Sequence, residues 1–285
     1  MPVDPNPLQD IPAETSIAAR NLYNVQHIYL RIGDHMDSIL NRVDVGMFDA
    51  TSRLSTPTLT RLGLASAFQL AEGLADPQAA ESTYQRLDWK YALFLPVKHP
   101  GISEHELCHF RRGLYSTASG QRQFAILLAE LRRYGLFPRT TGPLLDTQTA
   151  LERICQITRL YALDLAIKEA LGMLVSFAPN WLLEHVSPHW YERYSTRRLS
   201  PGKRFASDDL VAEANRLGAD IWHLLKALQS EDAKGWVGKT EIQTLSRLFY
   251  SQFSREGDEV QWNSINCGDC TQHHLAKGGT NYGQL

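Results

Sequence analysis

Apolar residues recur at three- and four-residue spacing through most of the chain, which predicts helices with one buried face. After Pro57 the stripe runs through Leu59, Leu62, Leu64, Phe68 and Leu70. Gly63 in its middle should weaken that helix slightly, and Gly73 stands where a left-handed closing residue belongs. Asp76-Pro77 then opens a second helix, with Asp76 expected as its cap and Pro77 at the first helical position. Its inward positions, Ala79, Ala80, Thr83, Tyr84 and Leu87, lead into Asp88-Trp89-Lys90-Tyr91. Pro96, Pro100 and Gly101 interrupt the chain. Ser103 and Glu106 make a capping-box pattern, followed by a short helix carrying His105, His109, Arg111 and Arg112. Ahead of all this, proline-rich Met1 to Glu14 reads as an irregular lead-in, Tyr29 to Leu40 as one short amphipathic helix, and Phe48 to Pro57 as a polar link.

Further on, Gln121 to Tyr134 reads as a helix with Phe124, Ile126, Leu127, Leu128 and Leu131 inward and Gly135 past its end. Pro138 to Pro143 is a breaker-rich linker and the expected domain boundary. A long helix follows from Thr147 to Phe177, stopped by Pro179, and two more are expected over Asp208 to Leu228 and Thr240 to Phe253. The class is therefore mainly α, in three stretches: a helical domain over 1–138, a second over 139–262, and an irregular tail over 263–285.

With 285 residues, 43% hydrophobic, the chain can bury a substantial core in one or two domains. Its net charge of −2 excludes a polybasic nucleic-acid coat, so any DNA contact must come from local patches. Four cysteines in this length make no disulfide framework and fit a reducing interior. Cys108 and Cys155, on apolar helix faces, are expected in the core. With no charged-then-apolar leader and no long apolar run, a soluble, cytoplasmic protein is expected.

Between Ser103 and Arg139 there are six arginines against three glutamates, the most cationic part of the first half. A surface facing DNA phosphates needs such charge, and so does an ordinary solvated helix face. Short helices joined by tight turns, the last one basic, suit a helix-turn-helix-like reader, or equally a plain helical bundle. The candidate DNA-binding residues are Arg86, Lys90, His109, Arg111, Arg112, Arg132 and Arg133. In the second half, Trp181, Trp190, Tyr191 and Tyr194 are interleaved with His185, His189, Arg193 and further arginines. Such a mixture can stack bases or simply pack as an aromatic turn.

The wording of residues 68–114 is more specific than any of these patterns. Phe68, Gln69, Glu72, Gly73, Leu74, Asp76, Gln78, Ala79 and Ala80 stand in order, then Arg86, Asp88, Trp89, Lys90 and Tyr91, then Pro100, Gly101, Phe110, Arg111 and Leu114. This string resembles the N-terminal domain of bacterial insertion-sequence transposases of the DDE type, which carry an RNase H-like catalytic core. Trp190-Tyr191-Glu192-Arg193-Tyr194 and Ala276-Lys277-Gly278-Gly279-Thr280 resemble later wording of the same family. The resemblance implies a helical DNA-binding domain, then the first strand of the RNase H-like core and a long helical insertion. It implies DNA at element ends as partner, with a homo-oligomer or a full-length transposase as possible protein partner.

The family's chemistry implies three carboxylates holding two magnesium ions, which activate the attacking oxygen and stabilise the leaving one. Asp146 stands where the first of them is found, although the family's Ser-Thr-His triplet is here Thr147-Gln148-Thr149. Asp146 is thus both the candidate catalytic and metal-binding residue and, on spacing alone, a good helix cap. No second or third acid can be carried over before Leu285, so a truncated, catalytically incomplete transposase is expected. Two rivals stand beside it: a DNA-binding regulator that blocks transposition, and a helical interaction module with no nucleic-acid contact. In the tail, Cys267, Cys270, His273 and His274 could close a zinc tetrahedron, but the C-x-x-C is single and the histidines are adjacent.

Overall fold

The computed structural model describes residues 7–48, 54–137, 146–195 and 210–264. The described chain is mainly α. Its helices are α1 (Ala13–Leu22), α2 (Ile28–Asp34), α3 (Met36–Leu40), α4 (Thr56–Glu72), α5 (Asp76–Gln85), α6 (Leu87–Ala92), α7 (Glu104–Ser116) and α8 (Ala118–Arg133). They continue with α9 (Thr147–Phe177), α10 (Pro179–His185), α11 (His189–Tyr194), α12 (Leu210–Ala227), α13 (Lys234–Val237) and α14 (Thr240–Gln252). The only described sheet is an antiparallel hairpin, β1 (Phe253–Glu256) with β2 (Glu259–Trp262), turned at Gly257 with φ +62°.

Two compact units divide the chain, Met1–Cys155 and Gln156–Leu285. The division falls inside α9, while the proline linker expected to mark it lies outside the described residues. So does the run Leu144-Leu145 that leads to Asp146, where the first strand of an RNase H-like core is expected.

The first unit is built on α4. Ser55 accepts from the Thr58 amide to start it, and Gly73 ends it at φ +64°. Its residues Leu59, Leu62, Leu64, Ala65 and Phe68 are buried. Helices α5, α7 and α8 pack against it. Gly63 is more than a weak point: a Cβ there would lie 2.6 Å from the ring of Phe48. Phe48, expected to begin a polar link, is fully buried, and its ring meets those of Phe110 and Phe124 edge-on at 5.8 and 6.4 Å. The expected Tyr29–Leu40 helix is two, because the chain breaks at His35 between α2 and α3. The proline-rich start settles into α1 at Ala13.

In the second unit, α12 and α14 pack together and the hairpin lies against α12. Trp222, Phe249 and Phe253 stack at 5.9 and 5.2 Å. The guanidinium of Arg159 sits 4.3 Å over Trp262 and donates to the Asn263 carbonyl, so a cation reaches this core through an aromatic face. The Trp181–Tyr194 stretch folds as α10 and α11, with Trp181, Trp190 and Tyr194 buried and Tyr191 exposed. Arg193 and the Tyr194 hydroxyl both donate to Asp220, so these motif residues serve packing within the unit. Cys108 and Cys155 are both buried, as their apolar neighbours require.

Candidate functional site

The residues of the 68–114 string converge in two polar clusters inside the first unit. In one, Glu72 at the end of α4 accepts from three donors: the Tyr29 hydroxyl, the Trp89 indole nitrogen at 3.1 Å and Arg86 at 2.5 Å. Arg86 also clasps Asp88 through two nitrogens, at 3.1 and 2.8 Å, and its guanidinium lies over the rings of Tyr29 and Trp89. Burial, reinforced by the neighbouring Glu72 carboxylate, holds the Tyr29 hydroxyl in its protonated form well above the ordinary range. One carboxylate thus ties α2, α4 and α6 together.

The second cluster lies under α7. Asp76, expected as the cap of α5, is its first helical residue instead, with Ala75 at the capping position and the Gln78 side chain accepting from the Ala75 amide. The Asp76 carboxylate points into the core. It accepts from Gln69 of α4 at 2.7 Å and from Arg111 of α7 at 2.5 Å, and all three side chains are fully buried. An isolated buried charge would be very costly, so the pair and Gln69 must be made together.

These clusters decide what the candidate cations can do. Arg111 is a core residue, and its guanidinium does not face solvent. Lys90 is nearly buried and donates to the carbonyls of Val97 and His99, anchoring the loop between α6 and α7, and burial pushes its pKa down. Arg86 is held by two carboxylates. Arg133, at the end of α8, is exposed but pairs with Glu130 at 3.1 Å, and Arg132 beside it is half-buried. His109 and Arg112 face solvent, and His105, one turn before His109, joins them on the same stripe of α7.

That stripe stands on a well-defined helix. Ser103 Oγ accepts from the Glu106 amide, while the Glu106 carboxylate accepts from the Ser103 amide at 2.8 Å, giving the expected reciprocal box. Leu107, Cys108, Phe110, Arg111 and Leu114 bury the opposite face. Thr117 then ends α7 and caps α8, accepting from the Gly120 amide at 3.3 Å. Sequence spacing marks the stripe, but only the structure separates exposed Arg112 from buried Arg111.

Asp146 starts α9. One carboxylate oxygen accepts from the Thr149 amide at 3.0 Å and the other from its hydroxyl at 2.6 Å. The Thr149 hydroxyl and amide hold its pKa below the ordinary aspartate value. Among the described residues no three His, Cys, Asp or Glu side chains are grouped to hold a metal ion. In the described residues the Asp146 carboxylate serves as the cap of α9. The Cys267, Cys270, His273 and His274 set lies outside the described residues. Among the described residues no helix is long and apolar enough to cross a membrane. Compared with protein families, curated proteins and solved structures, the chain finds no match.

Proposed function

We propose that this chain is the DNA-binding part of an insertion-sequence transposase of the DDE type, and that α7 meets the duplex with His105, His109 and Arg112. The ordered resemblance of residues 68–114 supports the family. Residues from 139 onward are then the opening of an RNase H-like catalytic core, with Asp146 its first carboxylate. The observation that carries the DNA reading is the two-sidedness of α7. A buried Arg111–Asp76 pair fixes one face to α4 and α5, while the other presents two imidazoles and a guanidinium to solvent. A rigid helix with outward cations is what positioning on a phosphate backbone requires. Arg112 supplies charge, and the imidazoles supply hydrogen bonds.

Binding of a labelled duplex of mixed sequence, measured by fluorescence anisotropy at several salt concentrations, tests this. Affinity should fall as salt rises, and Arg112→Ala should weaken binding to all sequences and reduce the slope by about one. No binding at low salt, or binding flat in salt and indifferent to Arg112→Ala with His109→Ala, would leave the helical interaction module as the better reading.

A further inference from the structure

His105 and His109 lie one turn apart on α7, and both are exposed. Their ring centroids are 6.3 Å apart and the planes are inclined by only 25°, so the imidazoles run side by side rather than diverging. Among the described residues no hydrogen bond or ion pair engages either ring, leaving their nitrogens available as donors. The backbone beneath is fixed by the Ser103–Glu106 box and by the buried face from Leu107 to Leu114.

We propose that His105 and His109 form a two-nitrogen chelate for a borderline divalent transition cation of the zinc, nickel and copper class. Histidines at i and i+4 are the helical spacing that brings two imidazoles onto one metal. Neutral imidazole nitrogen suits these ions, whereas magnesium demands oxygen donors, so this site is chemically distinct from any carboxylate site at Asp146. Metal–nitrogen bonds of about 2.0–2.1 Å require the rings to close from their present separation. Exposed side chains can do this by small rotations within their rotamer wells, with the helix unmoved. Two protein ligands leave the remaining positions to water, which makes the site an exchangeable one rather than a closed structural tetrahedron. Arg112 and the positive end of α7 lower its affinity without removing either donor. The chelate does not depend on DNA binding, although the cation would sit on the same stripe.

Nickel binding to the full chain, followed by isothermal titration calorimetry, tests the chelate. The chain should carry Cys267→Ser, Cys270→Ser, His273→Ala and His274→Ala, so that tail residues cannot contribute. One equivalent should bind. Because loss of even a supporting contact to a metal ligand costs about 10–100-fold in affinity, His105→Ala and His109→Ala should each cost at least about tenfold. The double variant, which loses the last imidazole as well, should bind more weakly than either single one. Copper added to the same proteins should show two coordinated nitrogens by electron paramagnetic resonance, and one in each single variant. Both side chains are exposed, so unchanged circular dichroism is expected throughout. Absence of nickel binding, or single variants that bind as well as the parent, would each overturn the chelate.

Discussion

Arg111 and Asp76 meet at 2.5 Å with both side chains wholly out of solvent, joining the middle of α7 to the first turn of α5. Their pairing turns an arginine next to an exposed arginine into a core residue. Removing one partner strands the other charge, which typically costs about 3–5 kcal/mol. Arg111→Ala and Asp76→Ala should therefore each lower the stability of the first unit by that order in urea unfolding. Replacing both by apolar residues of similar volume, Arg111→Met with Asp76→Leu, should restore much of the loss. A double variant as unstable as the single ones would mean that Gln69, left without either of these partners, dominates the energetics.

Lys90 predicts a separation of stability from DNA contact. Its amine is donated to two loop carbonyls, so Lys90→Met should leave them without that partner and cost about 1–3 kcal/mol. Because the amine faces inward, the same variant should leave the salt slope of DNA binding unaltered, in contrast to Arg112→Ala. A reduced slope in Lys90→Met, with unfolding unchanged, would show that the amine reaches phosphate.

Gly101 has φ +87°, and a Cβ there would lie 2.9 Å from Thr83 Oγ1 and 3.0 Å from the Tyr84 backbone nitrogen. The Thr83 hydroxyl accepts from the Ile102 amide at 2.7 Å, which seats the loop on α5. Gly101→Ala combines an unfavourable left-handed residue with this clash, and should destabilise by about 1–3 kcal/mol in thermal or urea unfolding. Thr83→Val, which keeps the volume and loses the hydroxyl, isolates the hydrogen bond and should cost about 1–3 kcal/mol because the Ile102 amide stays buried. A neutral outcome for both would mean that the loop is not fixed at this point.

The helices with strong local signals were legible in the sequence. Ser103 with Glu106, Gly73 and the long stripe from Thr147 to Phe177 all act through neighbours a few residues away, and each stands where spacing puts it. What spacing could not supply was pairing at a distance. Asp76 is a normal capping residue by local rule, yet Gln69 and Arg111, 7 and 35 positions away, draw its carboxylate inward. Phe48 stands at the start of a largely polar run in sequence, but Gly63, Phe110 and Phe124 make a slot for it in space. The hairpin after α14 carries little signal in the sequence, because Phe253–Glu256 and Glu259–Trp262 are short and mostly polar, with Phe253 the one buried residue of β1. For the candidate site the same limit holds: a run of cations shows where charge is, and only burial shows which cation is free to meet a partner.

Asp146 gives a prediction whose sign follows from its hydrogen bonds. Both carboxylate oxygens accept from Thr149, and these donors hold its folded-state pKa below the ordinary value of 3.8. The ionised form is thus favoured by folding. Its contribution is fully present above the unfolded pKa and is lost as pH falls through the lower folded value. Asp146→Ala should cost about 1 kcal/mol near neutrality, in line with an exposed helix cap. The difference between parent and variant should stay constant at neutral and mildly acidic pH and shrink only below about pH 4, where the carboxylate of the unfolded chain takes up its proton. Thr149→Ala should produce a smaller loss with the same pH profile, because the amide remains as a donor. Urea unfolding at a series of pH values checks all three chains. A difference that persists undiminished at the acid end would show that Asp146 stabilises α9 by something other than its charge, and a variant as stable as the parent at neutrality would remove its role as a cap.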